Sequence, residues 1–253
     1  MTRILLLGGT TEASQMARIL AESGIDAIFS YAGRTTAPSS QPLPMRIGGF
    51  GGVDGLVSYL RTAGITHVID ATHPFAAQIS CNALTACRST GVPLIAFERK
   101  PWTPEDGDNW HMVADTAAAV ASLPNTPARV FLAIGKQLLR AFAACPQHHY
   151  LLRLVDPPTG PLPVPRCTVV VARGPFTQTG DRALMLAHGI THIVAKNAGG
   201  EGARAKLDAA RALGLPVIMI DRPTIPPRAI AHTADAVLTW LAGQGYHTAR
   251  RGV

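Results

Sequence analysis

The sequence predicts an α/β protein built as two similar halves, each a parallel sheet covered by helices. Three observations carry this. Short Val/Ile/Leu-rich runs, apolar on both faces, alternate with segments of helical periodicity, as in parallel sheets buried on both sides. The tetrapeptide GITH occurs twice, at Gly64–His67 and Gly189–His192. Its neighbours recur too: RILLLGG from Arg3 pairs with RVFLAIGK from Arg129, MRIGGF from Met45 with VARGPF from Val171, and GVPLIAFER from Gly91 with GLPVIMIDR from Gly214. Taking Gly8/Gly135, Gly49/Gly174, Gly64/Gly189 and Gly91/Gly214, the offsets are 127, 125, 125 and 123. A near-constant period in unbroken order marks structurally equivalent units.

The expected strands of the first half lie near 3–7, 26–31, 45–47, 66–71 and 92–97; those of the second lie near 129–134, 149–154, 168–173, 191–196 and 216–221. Between them, Ala13, Met16, Ala17 and Leu20 form an i, i+3, i+4, i+7 stripe closed by Gly24, and Val53, Leu56, Val57 and Leu60 repeat it before Gly64. Such stripes are the buried faces of amphipathic helices, with glycine the usual stop. Asp208–Leu213 reads as part of another helix, ended by Gly214. Alternating βα units with right-handed crossovers make a doubly wound, Rossmann-like sheet. The stretch 100–127 has Pro-rich boundaries and reads as a junction, with a strand near 110–113 and a helix near 115–123. The expected domains are therefore 1–125 and 126–253, with a basic tail from His247 expected to fray.

Divided this way, residues 1–125 carry 8 Lys+Arg and 10 Asp+Glu, net −2, and residues 126–253 carry 15 and 6, net +9. A half so charged suits a polyanion. Its cations are scattered over strand ends and loops, without a dense run or interleaved aromatics. That favours a small polycarboxylate or phosphate over nucleic acid. No run approaches the ~18 apolar residues of a membrane span. ILLLGG meets a glycine turn at once and reads as a first strand, so a cytoplasmic protein with no membrane partner is expected. Cys81, Cys87, Cys145 and Cys167 have no C-x-x-C spacing and are expected to be reduced, mostly buried thiols. The nine histidines show no ligand spacing with Cys or carboxylates, so no metal is expected.

In open α/β sheets, ligands gather at the carboxyl ends of the strands, where the two GITH repeats diverge. The first strand enters Gly8-Gly9-Thr10-Thr11-Glu12. Glycines there let backbone N–H groups approach a phosphate at the next helix N-terminus. The full G-x-G-x-x-G fingerprint is absent, because Thr10 and Ala13 stand at its third and sixth places. Thr10 and Thr11 can offer hydroxyls, and Glu12 reads as a first-turn residue. The second strand ends in Gly33-Arg34-Thr35-Thr36, with no carboxylate for a ribose 2′-hydroxyl. An Arg there suits a 2′-phosphate and favours NADPH over NADH. Gly49 and Ala71, at two further strand ends, complete the expected cofactor set. In the second half the turn is Gly135-Lys136, a poorer dinucleotide turn. Lys136, Arg173, Lys196 and Arg222 fall at four strand ends and, with Gly174, form an expected anion-holding face.

DATHPFA (Asp70–Ala76), ARGPF (Ala172–Phe176), the block from Lys196 to Pro223 and GGTTEA (Gly8–Ala13) resemble the precorrin-6A reductase family of cobalamin biosynthesis. The likeness spans most of the chain, in order. It implies NADPH-dependent reduction of precorrin-6A, or its cobalt form, to precorrin-6B. The substrate it implies is a tetrapyrrole-derived macrocycle ringed by carboxylates. The active site is then expected in the cleft between the halves, with NADPH on the first and the carboxylates on the second. A monomer is the expected state.

Hydride transfer of this kind rests mainly on positioning. Thr72 and His73 are the candidates at the reacting end. His73 could donate the proton, hold a carboxylate, or cap a helix begun by Pro74. Asp70 reads as structural, bonded to backbone or to an Arg, and Phe75 as core; His67 and His192 sit at strand starts, away from the rim. A short-chain-dehydrogenase-like rival needs Tyr-x-x-x-Lys. Tyr31, Tyr59, Tyr150 and Tyr246 are followed at the fourth place by Thr35, Ala63, Leu154 and Arg250, so that motif is missing. The alternative from another class is a non-catalytic NADPH-sensing or polyanion-binding module.

Overall fold

The computed structural model describes residues 2–33 and 39–244. Arg34, Thr35, Tyr246, Arg250 and the tail from His247 lie outside the described residues. The chain runs β1 (Ile4–Leu7), α1 (Thr11–Glu22), β2 (Ala27–Tyr31), β3 (Met45–Ile47), α2 (Gly52–Thr62), β4 (His67–Asp70), α3 (Ala77–Thr90) and β5 (Leu94–Phe97). It continues through β6 (Trp110–Val113), α4 (Thr116–Ala121), β7 (Arg129–Ala133), a 3₁₀ helix (Lys136–Ala144), β8 (His149–Leu154), β9 (Cys167–Val171), α5 (Gln178–Ala187) and β10 (His192–Lys196). A short 3₁₀ turn (Glu201–Ala203), α6 (Ala205–Ala212), β11 (Val217–Ile220), β12 (Ala229–Ala231) and α7 (Ala234–Gly243) complete it. Each expected strand is present to within about two residues; β12 and α7 were not expected.

The strands form two six-stranded sheets, ordered β12-β5-β4-β1-β2-β3 and β6-β11-β10-β7-β8-β9, with every pairing parallel. Alternation in β1 shows why its run is apolar throughout. Ile4 and Leu6 pack against Met16 and Leu20 of α1 and Val237 and Leu241 of α7, whereas Leu5 and Leu7 pack against Leu56 and Leu60 of α2 and Ala83 of α3. In the second unit Phe131, Ile193 and Met219 form a core with Met185 of α5 and Leu207 of α6.

The expected boundary at 125/126 is replaced by another division. One compact unit is 1–99 with 224–253, and the other is 100–223. The reason lies in the sheet edges. After β5 the chain leaves the first unit and adds β6 to the second sheet, Trp110 opposite Val217; after β11 it returns and adds β12 to the first, Ala229 opposite Ile95. Each exchanged strand covers an edge of unpaired N–H and C=O groups.

The charge asymmetry does not survive this division. The first unit holds 10 Lys+Arg and 7 Asp+Glu, net +3, and the second 13 and 9, net +4. The acids of the junction, Glu105, Asp106, Asp108 and Asp115, belong to the second unit. Two of them are paired there: Arg211 meets Asp108 at 2.9 Å and Glu105 at 3.1 Å.

The repeated GITH does the same work twice. Thr66 Oγ1 accepts from Arg3 N at 2.9 Å and donates to Arg3 O at 3.1 Å, while Arg3 Nη1 donates to Ala63 O at 3.0 Å. Thr191 Oγ1 makes the matching pair with Arg129 N and O, both at 3.3 Å, and Arg129 Nε donates to His188 O. Each brace ties a helix C-terminus to the starts of two central strands. His67 and His192 each bond the adjacent Thr hydroxyl at 2.9 Å, consistent with structural roles.

Two local expectations are corrected. Pro74 starts no helix: residues 73–76 form a turn closed by Ala76 N donating to His73 O at 2.7 Å, and α3 begins at Ala77. Of the cysteines only Cys87 is buried; the other three are half-buried free thiols. Among the described residues no helix is long and apolar enough to cross a membrane.

Candidate active site

The carboxyl end of the first sheet carries the glycine turn. Gly8 is required by packing, because a Cβ there would lie 2.1 Å from the Phe29 ring. Gly9 adopts φ +126, with no atom within 4 Å of where a Cβ would stand. A left-handed, unobstructed glycine followed by an α-helix N-terminus leaves backbone N–H groups facing open space. Thr10 caps α1, accepting from Ala13 N at 3.1 Å, and its hydroxyl proton goes to Ala71 O at 2.7 Å. With that proton committed, Thr10 has none to donate to a phosphate; it fastens the turn to the end of β4. Thr11 is exposed, and Glu12 meets Thr11 Oγ1 at 3.1 Å and Arg99 at 3.7 Å. Gly33, φ +75, lies against Gly48, its would-be Cβ 3.5 Å from Gly48 Cα. Gly49 is held by Arg46, which donates to Gly48 O at 2.8 Å and Gly49 O at 3.1 Å and stacks 3.8 Å over Phe50. A bare Gly9 ahead of α1 fits a pyrophosphate, so these residues could hold a dinucleotide.

At the end of β4, Asp70 is buried and its Oδ1 accepts from Thr72 N at 3.2 Å and Thr72 Oγ1 at 2.7 Å. Asp70 is therefore bonded to backbone, one of the two structural roles expected of it. Thr72 Oγ1 also lies 3.4 Å from Ser80 Oγ. His73 Nδ1 accepts from Phe75 N at 3.2 Å, which in a neutral ring leaves the proton on Nε2. Phe75 is half-buried, its ring centroid 5.9 Å from that of His73. Cys87 on α3 has its thiol pushed up to about 12 by burial, with a smaller contribution from Asp70, so it stays protonated and unreactive. A small pocket at this rim is lined by Asp70, Thr72, His73, Ser80, Glu98 and Arg228, with Pro74 and Ile225 as apolar walls.

Glu98 and Arg228 were not expected. Arg228 pairs with Glu98 Oε1 at 2.5 Å, and both side chains are largely buried. The repeat held a hint: Glu98-Arg99 and Asp221-Arg222 end equivalent strands. Nothing local marks Arg228, which reaches this rim only through β12.

In the second unit, parallel pairing puts the ends of β11, β10, β7 and β9 on one edge, so Arg222, Lys196, Lys136 and Arg173 share a rim. They differ in freedom. Lys136 is exposed at the start of the 3₁₀ helix. Arg173 is 60% exposed and only 3.7 Å from Asp156, a weak pairing. Arg222 is a brace: Nε donates to Asn197 O and Nη2 to Ala198 O, both at 3.0 Å. The Asn197 amide is also committed, accepting from Trp102 N at 2.8 Å and donating to Trp102 O at 3.0 Å. Gly199 is required in this loop, since a Cβ would stand 2.1 Å from Lys100 O. Beside Gly174, Arg153 stacks 3.6 Å over Phe176 and pairs with buried Asp181, a clamp not foreseen in the sequence. Among the described residues no group of three His, Cys, Asp or Glu could hold a metal.

A family description, Precorrin-6x reductase CbiJ/CobK, matches residues 3–242. The precorrin-6A reductase of Rhodobacter capsulatus is 67% identical over 97% of this chain and 98% of its own. That of Rhodococcus erythropolis is 47% identical over 99% and 100%, and the cobalt-precorrin-6A reductase of Priestia megaterium is 30% identical over 95% and 98%. The solved structure of a CobK precorrin-6A reductase superposes with a TM-score of 0.94, at 66% identity and 100% coverage of both chains. Matching over nearly its whole length, this chain belongs to the precorrin-6x reductase CbiJ/CobK family.

Proposed function

We propose that the protein reduces precorrin-6A to precorrin-6B with NADPH, in cobalamin biosynthesis. The observation that carries this is end-to-end similarity at 67% identity to a precorrin-6A reductase. The cobalt-free macrocycle is the favoured substrate, because a relative named for precorrin-6A is 67% identical and one named for the cobalt form is 30% identical. The cofactor supplies the hydride when bound; the chain supplies placement. Gly9 and the α1 N-terminus take the pyrophosphate, with Gly33, Arg34, Thr35 and Gly49 toward the adenosine end. Ala71 and Thr72 flank the nicotinamide. Thr72 gives its proton to Asp70, so it orients and is not the acid. Protonating His73 at Nδ1 would break its bond from Phe75 N, so His73 acts as a neutral Nε2–H donor. Lys136, Arg173 and Lys196 contact substrate carboxylates, and Arg222 shapes the loop that follows Lys196.

The deciding experiment incubates the protein with NADPH and precorrin-6A. Loss of NADPH absorbance should accompany a two-hydrogen mass gain. Folded protein giving neither with authentic substrate overturns the reading.

A further inference from the structure

β4 and β10 are equivalent strands with different endings. At the repeat offset of 125, Ala71 and Thr72 correspond to Lys196 and Asn197. Thr72 bonds Asp70, two residues away. Asn197 is buried and reaches across 95 residues: its Oδ1 accepts from Trp102 N at 2.8 Å and its Nδ2 donates to Trp102 O at 3.0 Å. The amide thus pairs with both backbone groups of one residue, as a neighbouring strand would. Trp102, also buried, returns a third bond, its Nε1 donating to Gly200 O at 3.0 Å. These residues all belong to the second unit.

Between Asn197 and Gly200 the chain has no slack. Arg222 holds the carbonyls of Asn197 and Ala198. A Cβ on Gly199 would stand 2.1 Å from Lys100 O and 2.7 Å from Arg222 Nη2. Beyond Gly200, buried Lys206 donates to Ala203 O and sets its Nζ 5.1 Å from the Trp102 ring centroid, within cation–π range. Without this clasp the loop would be loose, because it contains Gly199, Gly200 and Gly202 and glycine loses the most conformational freedom on ordering. The threonine brace, which both units share, serves the frame. The clasp stands instead where the repeats diverge, directly after Lys196, at the strand ends where ligands gather.

We propose that Trp102 and Asn197 are positioning residues for the substrate, holding loop 197–203 rigid beside Lys196 so that a carboxylate of the macrocycle meets a wall already in place. This rests on the proposal that Lys196 contacts a substrate carboxylate. Order built into the fold is not lost again on binding. The peripheral carboxylates keep their charge while hydride is transferred, so the clasp acts on substrate affinity and not on the chemical step.

The test is steady-state kinetics of the full chain with NADPH and precorrin-6A, beside calorimetric NADP⁺ binding and thermal melting. Lys196→Ala is the reference and should raise KM for precorrin-6A. Asn197→Ala removes both bonds to the Trp102 backbone and should raise that KM about tenfold. Trp102→Phe keeps a ring beside Lys206, loses the bond to Gly200 O and should raise it about threefold. In both clasp variants kcat and NADP⁺ affinity should stay within about twofold of wild type. A clasp that serves stability alone would lower the melting temperature and leave KM where it was. That result in the folded variants, with KM raised in Lys196→Ala, overturns this proposal and spares the functional reading. So does a matching loss of NADP⁺ affinity, which marks a global disturbance. Should Asn197→Ala fail to fold, Trp102→Phe decides. An unmoved KM in Lys196→Ala removes the contact through which the clasp acts, and a wild-type chain inactive toward precorrin-6A removes the function; each takes this proposal with it.

Discussion

The two units share a strand order, a threonine brace and a stacked arginine, and part company at the first turn. Arg46 lies 3.8 Å over Phe50 in one, and Arg153 lies 3.6 Å over Phe176 in the other. After β1 the chain enters Gly9 and a 12-residue α-helix; after β7 it enters Gly135 and a nine-residue 3₁₀ helix. A 12-residue α-helix aligns its peptide dipoles and leading N–H groups toward an anion at its N-terminus. The frame is repeated, and the turn proposed to take phosphate stands in one copy. The units also differ little in net charge, +3 against +4. What distinguishes their rims is which side chains are committed: the first presents bare backbone, the second Lys136 and Arg173.

The largest test breaks the first unit where it relies on its returning segment. Leu241 is fully buried in the α1–α7 core, and Leu241→Ala should cost about 2–5 kcal/mol in urea denaturation. A cost below about 1 kcal/mol would detach α7 from the unit. The corresponding cut in the second unit is Asp108→Ala, which frees Arg211 and the junction; a loss of about 1–3 kcal/mol is expected. The turns can then be set against each other. Gly9→Ala should weaken NADP⁺ binding by about tenfold through backbone strain and lost approach, whereas Gly135→Ala, at φ +84, should leave it unchanged. Matching losses would erase the functional difference.

The braces predict smaller effects. Thr66→Val should cost about 1 kcal/mol, and Thr191→Val, whose bonds are longer and exposed, about 0.5 kcal/mol. The last test is pH. Burial, then His192, lowers the pKa of His148; burial, then Arg129, His188 and Arg166, lowers that of His149; burial lowers that of His192. In the first unit burial lowers that of His67. As pH falls below the ordinary histidine value of 6.5, the unfolded chain takes up these protons first, so stability declines. Hydrogen exchange at pH 7.5 and 5.5 should show protection falling further in the second unit than in the first. Equal loss would remove the distinction.

Strands and repeats were legible because they are local: buried strands are apolar throughout, helices carry their stripe, and glycines stop them. The glycine turn and Thr72-His73 could be proposed from sequence because each is a run of adjacent residues at a strand end. Thr10 and Arg222 were named, but their partners Ala71, Asn197 and Ala198 come from other loops, and this changed their roles. Glu98 and Arg228 went unseen because 130 residues separate them. The sequence alone determined that there are two α/β halves and that one of them opens on a Gly-Gly-Thr turn, since periodicity and glycine placement act over a few residues. Only the tertiary structure decided where the units divide. Sheet edges are satisfied by whichever strand arrives, and β6 and β12 each arrive from across the boundary. That exchange took apart the −2 and +9 halves and brought Arg228 to the pocket beside His73.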